Sequence, residues 1–141
     1  MEGIFKISRD IVRAKYLFDM ANERRAKIIP ALPRGLAYKL VEEYYEVIVQ
    51  LITGIMYFDG YRTLSHISLV EYLSGNYKEV ESREIGIIDV TRKLRHGIIY
   101  YGERAKKEFL INNEEDINRI IDKLFKILGG KLKFERKKEL K

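Results

Sequence analysis

Between Thr91 and Arg104 the chain reads TRKLRHGIIYYGER, three arginines, a histidine and two adjacent tyrosines gathered around a short apolar run. Arg92, His96 and Tyr100 follow one another at intervals of four residues, so on a helix all three project from one side. An arginine beside a histidine suits phosphoryl chemistry: the cation stabilises charge developing on phosphate while the imidazole moves a proton. With no second acid or base beside them in the sequence, the same residues also fit a partly exposed interface. The other histidine, His66 in SHISLVEYL, lies in an amphipathic segment and reads as a hydrogen-bonded structural residue.

Other chemistries lack their residues. The chain has no cysteine, which removes disulfides and thiolate metal sites, and a zinc ion held by His66 and His96 would need carboxylates to complete its shell. No metal and no other cofactor is expected. GGKLKF at Gly129 has neither the spacing of a phosphate-cradling loop nor a helix pattern after it, and no HExxH or nucleophile elbow occurs. The longest mostly apolar run, Val47 to Phe58, is broken by Gln50 and is too short for a membrane span. The opening MEGIFKISRD shows no leader pattern, so a soluble, cytoplasmic protein is expected.

The 141 residues suffice for one core. Of the net charge of +6, the segment 131–141 carries +4, with six basic residues against Glu135 and Glu139. Such a run can release counterions from nucleic-acid phosphates, although charged termini are commonly just solvated. The division expected is therefore a helical domain over residues 1–130 and a basic tail over 131–141. Abundant Lys, Glu, Arg and Ile without Cys is a composition found in heat-adapted proteins.

The elements that must position these groups are helical. Ile11, Ala14, Phe18, Ala21, Arg25 and Ile28 predict a first amphipathic helix from a Ser8 cap to a stop at Pro30. Apolar spacing from Leu36 to Phe58 predicts a longer second helix ended by Asp59 and Gly60, and a short third fits Thr63 to Leu73 before Ser74, Gly75 and Asn76. A fourth runs from Ser82 or Arg83 to about Tyr101, where Gly102 should end it. The fifth starts at an Asn113 cap, gains from Glu114, Glu115 and Asp116 at its positive end, and stops at Gly129. No segment alternates as a strand should. The fold class expected is all-α, an antiparallel bundle of about five helices.

On the fourth helix Ile87, Val90, Leu94, Ile98 and Tyr101 fall on one line and predict the core stripe. A second group, Ile88, Arg92, Arg95 and Ile99, lies well around the helix with Ile85 and His96 at its edge. It could meet another helix of the bundle or a second copy of the chain, since mixed apolar and arginine surface suits a homodimer interface. Gly97, between the two faces, suggests a close backbone approach or a tolerated weak spot.

The amphipathic first helix, a second ending in DGYRTLSH, a short third, and a fourth carrying RHGIIYYG together resemble the HEPN (higher eukaryote and prokaryote nucleotide-binding) domain family over about Ser8 to Leu128. The resemblance implies a helical bundle that pairs as a homodimer, with the motif helices of both copies lining a shared cleft. Many members are metal-independent ribonucleases marked by an arginine, commonly a polar residue after it, and a histidine further along the helix. Arg95 matches the motif arginine and His96 the polar residue, while Tyr100 occupies the position of the motif histidine. A phenol, with an ordinary pKa near 10, is a poor proton shuttle at neutral pH. The expectation is thus a module that binds nucleotide, RNA or a protein partner through Arg92, Arg95, His96 and Tyr100. The alternative is a metal-independent endoribonuclease with His96 and Arg95 catalytic, similar to HEPN toxins that work beside a small nucleotidyltransferase.

Overall fold

The computed structural model describes residues 3–104 and 107–139. Among them five helices form an all-α bundle with one small antiparallel ribbon. The ribbon pairs β1 (Ile4–Lys6) with β2 (Tyr61–Thr63) in the register Ile4 to Thr63, Phe5 to Arg62 and Lys6 to Tyr61. Three-residue strands are too short for alternation to register, and their pairing joins distant parts of the chain, so the sequence pattern missed them.

Helix α1 spans Ile11–Glu23, capped by Asp10, whose side chain accepts from the Arg13 N–H, and not by Ser8. It does not stop at Pro30. A wide π turn, Arg24–Ile28, follows, and Ile29–Ala31 completes a last α turn with Pro30 in its first residues. Proline lacks an N–H and its ring crowds the preceding turn; it is accommodated just after the widened turn, and the helical run ends one residue later, at Ala31. The π turn also aims Arg24 at Glu43 and Gln50, and Arg25 at Asn118 and Asp122.

Helix α2, Ala37–Asp59, is the axis of the bundle, and Gly60 ends it in the left-handed conformation. It buries a broad apolar arc that includes Leu40, Val41, Val47, Ile48, Leu51, Ile52 and Ile55, as a helix touching several others must, and keeps Lys39, Glu42, Glu43, Glu46 and Gln50 along one polar face. It packs against α1 and all three later helices. At Gly54 an added Cβ would lie 2.7 Å from Leu128 and 3.4 Å from the Ala14 carbonyl oxygen, so glycine is what lets these helices approach so closely.

Helix α3 spans His66–Asn76, later than expected, because Thr63 ends β2 and Ser65 caps the helix by accepting from the Ser68 N–H. Ser74, Gly75 and Asn76 form its last turn. Helix α4, Ser82–Tyr101, has the expected limits: a capping box of Glu81 and Glu84 opens it and Gly102, at φ 64°, closes it. Its core line differs from the expected one. Val90 and Tyr101 are exposed, whereas Ile88 of the second stripe is fully buried alongside Thr91 and Ile98. Contact with α2, α3 and the fifth helix at once turns the buried face to a direction between the two stripes.

Helix α5 runs unbroken over Lys107–Glu139. Asn113 is interior to it, donating to the Phe109 carbonyl, and Gly129 lies under the Phe18 ring without stopping it. Glu114 pairs with Arg34 and Asp116 with Arg83. The segment expected as a solvated tail is helical through Glu139 and is held to the bundle by Lys131 to Asp59 and Glu135 to Arg9. Leu140 and Lys141, the remainder of that tail, lie outside the described residues. No helix among the described residues is long and apolar enough to cross a membrane.

Candidate functional site

Arg92, Arg95, His96 and Tyr100, the four residues singled out by spacing, line one cleft of about 230 Å³ between the second half of α4 and the start of α3. The opposite wall comes from Ser65, His66 and Ile67 at the N-terminus of α3 and from Tyr45 on α2. None of the described lining residues is acidic.

The two arginines are held differently. Arg92 Nε donates to Asp89 Oδ1 at 2.9 Å, one turn back on α4, and the Arg92 guanidinium keeps the Asp89 carboxyl below its ordinary range. Asp89 also serves Lys93 at 3.3 Å. Arg95 lies over the Tyr45 ring, 5.8 Å from its centroid, and its nearest carboxylate, Glu46, is 4.0 Å away. Both arginine side chains are largely buried, 19% and 25% exposed. They are therefore only weakly shielded by water.

The two histidines also differ. His96 is exposed on the rim, its ring 4.6 Å from that of Tyr100 and 5.8 Å from that of Tyr101, and it makes no hydrogen bond among the described residues. His66 is the first residue of α3, stacked 5.6 Å from the Tyr45 ring at an interplanar angle of 24°, with Nδ1 2.8 Å from the Tyr45 hydroxyl. Burial, and after it the nearby Arg95 charge, pull the His66 pKa below its ordinary value. Burial pushes the Tyr45 phenol up to about 12. At neutral pH the inner wall thus carries an uncharged imidazole on a protonated phenol, facing two fixed cations.

His66 was expected to be a hydrogen-bonded structural residue. It is hydrogen-bonded, and it also belongs to the cleft, as does Tyr45 of α2, which the sequence pattern did not single out. The signal in the sequence was Ser65: taken as the cap of α3, it places His66 at a helix start beside the DG turn and not within an amphipathic stretch. What lies nearest Gly97 is the Glu103 carboxylate, a side chain folding back over α4, and not the backbone approach expected there. Compared with protein-family models, curated proteins and solved structures, the chain matches none of them.

Proposed function

We propose that this chain is a HEPN-like homodimeric module that binds a phosphate-bearing ligand, a nucleotide or RNA, in the cleft between α3 and α4. The observation that carries this reading is the pairing of two mostly buried arginines in a cleft with no acidic lining. Phosphate is the common biological anion whose oxygens match guanidinium groups. The first turn of α3, with its positive dipole end, borders the same cleft and adds to the attraction for an anion.

The homodimer is supported by apolar surface around the mouth of the cleft. Ile67 and Tyr100 line it and are 53% and 66% exposed, and Ile99 and Tyr101 lie exposed beside Tyr100 on α4. Such a patch next to a polar centre suits a second copy of the chain. Light scattering at micromolar concentration should give a dimer mass, and a monomer would remove the shared cleft. Anisotropy with labelled single-stranded RNA at low salt tests the ligand, which Arg95→Ala should release.

A second reading, a metal-independent endoribonuclease partnered by a small nucleotidyltransferase-like protein, is favoured by the exposed His96 imidazole, which makes no hydrogen bond to the other described residues and stands beside the two arginines. It requires His96 to move the proton and Arg95 to stabilise the charge on phosphate. Cleavage of mixed RNA by the wild type but not by His96→Ala or Arg95→Ala would establish it; equal cleavage by all three would be contamination.

A further inference from the structure

Tyr45 is 1% exposed, and the His66 ring is the one hydrogen-bond partner its hydroxyl has among the described residues. A buried O–H left without an acceptor costs about 1–3 kcal/mol. The phenol must therefore donate, and Nδ1 of His66 must accept at 2.8 Å. That bond selects one tautomer, because a neutral imidazole that accepts at Nδ1 carries its proton on Nε2. The near-parallel stacking on Tyr45 fixes the plane of the ring as well. Nε2 has no hydrogen-bond partner among the described residues, on a ring that lines the cleft with Arg92 and Arg95.

We propose that His66 is a neutral, tautomer-fixed hydrogen-bond donor whose Nε2–H binds a non-bridging phosphate oxygen of the ligand held by Arg92 and Arg95, and that Tyr45 is its positioning residue. This rests on the reading of the cleft as a phosphate site. It separates the two imidazoles by role: His66 contributes a donor and takes up no proton at Nε2, so any proton transfer falls to His96. Its low basicity suits the role, since burial and Arg95 keep it uncharged at neutral pH.

The tautomer can be read without any ligand. Long-range proton–nitrogen correlation spectra of the full-length wild type at pH 7 should show His66 with a bare Nδ1 and a protonated Nε2, and Tyr45→Phe should give a mixture of tautomers. A proton on Nδ1 in the wild type overturns the proposal. Binding is read with a labelled single-stranded oligouridylate at low salt. His66→Ala should weaken it about tenfold, as loss of a hydrogen bond to a charged group implies. His66→Gln, which retains an N–H at a similar reach, should recover most of that loss, and this rescue separates a donor from a merely structural ring. Wild-type affinity in His66→Ala, alongside lost binding in Arg95→Ala, would overturn the donor role and leave the phosphate site standing. No binding by the wild type would remove the phosphate site and the donor role together.

Discussion

Near Asp59 and near Arg95 the bundle gathers similar side chains, tyrosines and long cations packed against α2, yet the two clusters end in opposite states. Asp59 accepts from the hydroxyls of Tyr72 and Tyr77 on one oxygen and from Lys131 at 2.9 Å on the other. The Lys131 ammonium also lies 5.3 Å from the Phe58 ring centroid and 5.1 Å from that of Tyr77. Burial, with Asp59 adding to it, raises both phenols and keeps them protonated as donors. One carboxylate thus serves one cation and two neutral donors, and the cluster is closed. Among the described residues around the cleft, Arg92, Lys93 and Arg95 face only Asp89 and Glu46, His66 Nε2 has no hydrogen-bond partner, and His96 makes no hydrogen bond. A polar cluster that satisfies itself holds elements together; one left with donors and positive charge is built to meet something else.

Breaking the closed cluster should have the largest effect on stability. Asp59→Ala strands the buried Tyr72 phenol, the partly buried Tyr77 phenol and the Lys131 ammonium, and should lower unfolding free energy by about 3 kcal/mol in urea titration. The folded fraction should bind RNA as before. If binding falls with it, the two clusters are not independent. Gly54→Ala, which forces a methyl against Leu128 and the Ala14 carbonyl, should cost about 2 kcal/mol by the same measurement.

At the open cluster the balance reverses. Arg95→Ala should abolish oligouridylate binding, a loss of about a hundredfold, while costing about 1 kcal/mol of stability, well short of Asp59→Ala. A large loss of stability there would make the cleft another structural knot.

Acid provides a finer test on a third pair. Burial raises the Glu84 pKa, but the Lys123 ammonium and the Glu81 N–H outweigh it and leave the carboxyl below its ordinary value of 4.5. The unfolded chain then takes up a proton first on acidification. Stability from this group is full above that value and is lost as pH falls through it towards the folded pKa. Glu84→Gln should remove this contribution to the acid loss, seen as a flatter dependence of melting temperature on pH below about pH 5. The smallest effect is expected at His96, where the exposed ring of His96→Ala should leave stability within about 0.5 kcal/mol.

Legibility in the sequence followed the range of the interaction. The limits of α4 were readable because Gly102 and the opening acidic residues act within a turn of themselves, and Arg92, His96 and Tyr100 could be grouped because one helix spaces them. The same local signals failed at Asn113, Gly129 and Pro30. Gly129 packs under Phe18 of α1, and Pro30 follows the turn whose Arg24 and Arg25 reach α2 and α5, contacts that outweigh a helix preference of about 1–3 kcal/mol. At Asn113 the helix had already begun, at Lys107. The core line of α4 was misplaced for a related reason: a helix touching three others is buried over an arc that its own periodicity does not mark.

By itself the sequence determined the helical class, the central apolar α2 and a cationic face on α4, since composition and period act residue by residue along the chain. Only the tertiary structure decided that Tyr45 of α2 and His66 of α3 complete that face. It also decided that Asp59 closes a cluster while Arg95 does not. Those outcomes depend on which donors meet which acceptors across helices, and hydrogen bonds are decided by distances of a few tenths of an ångström that no spacing along the chain encodes.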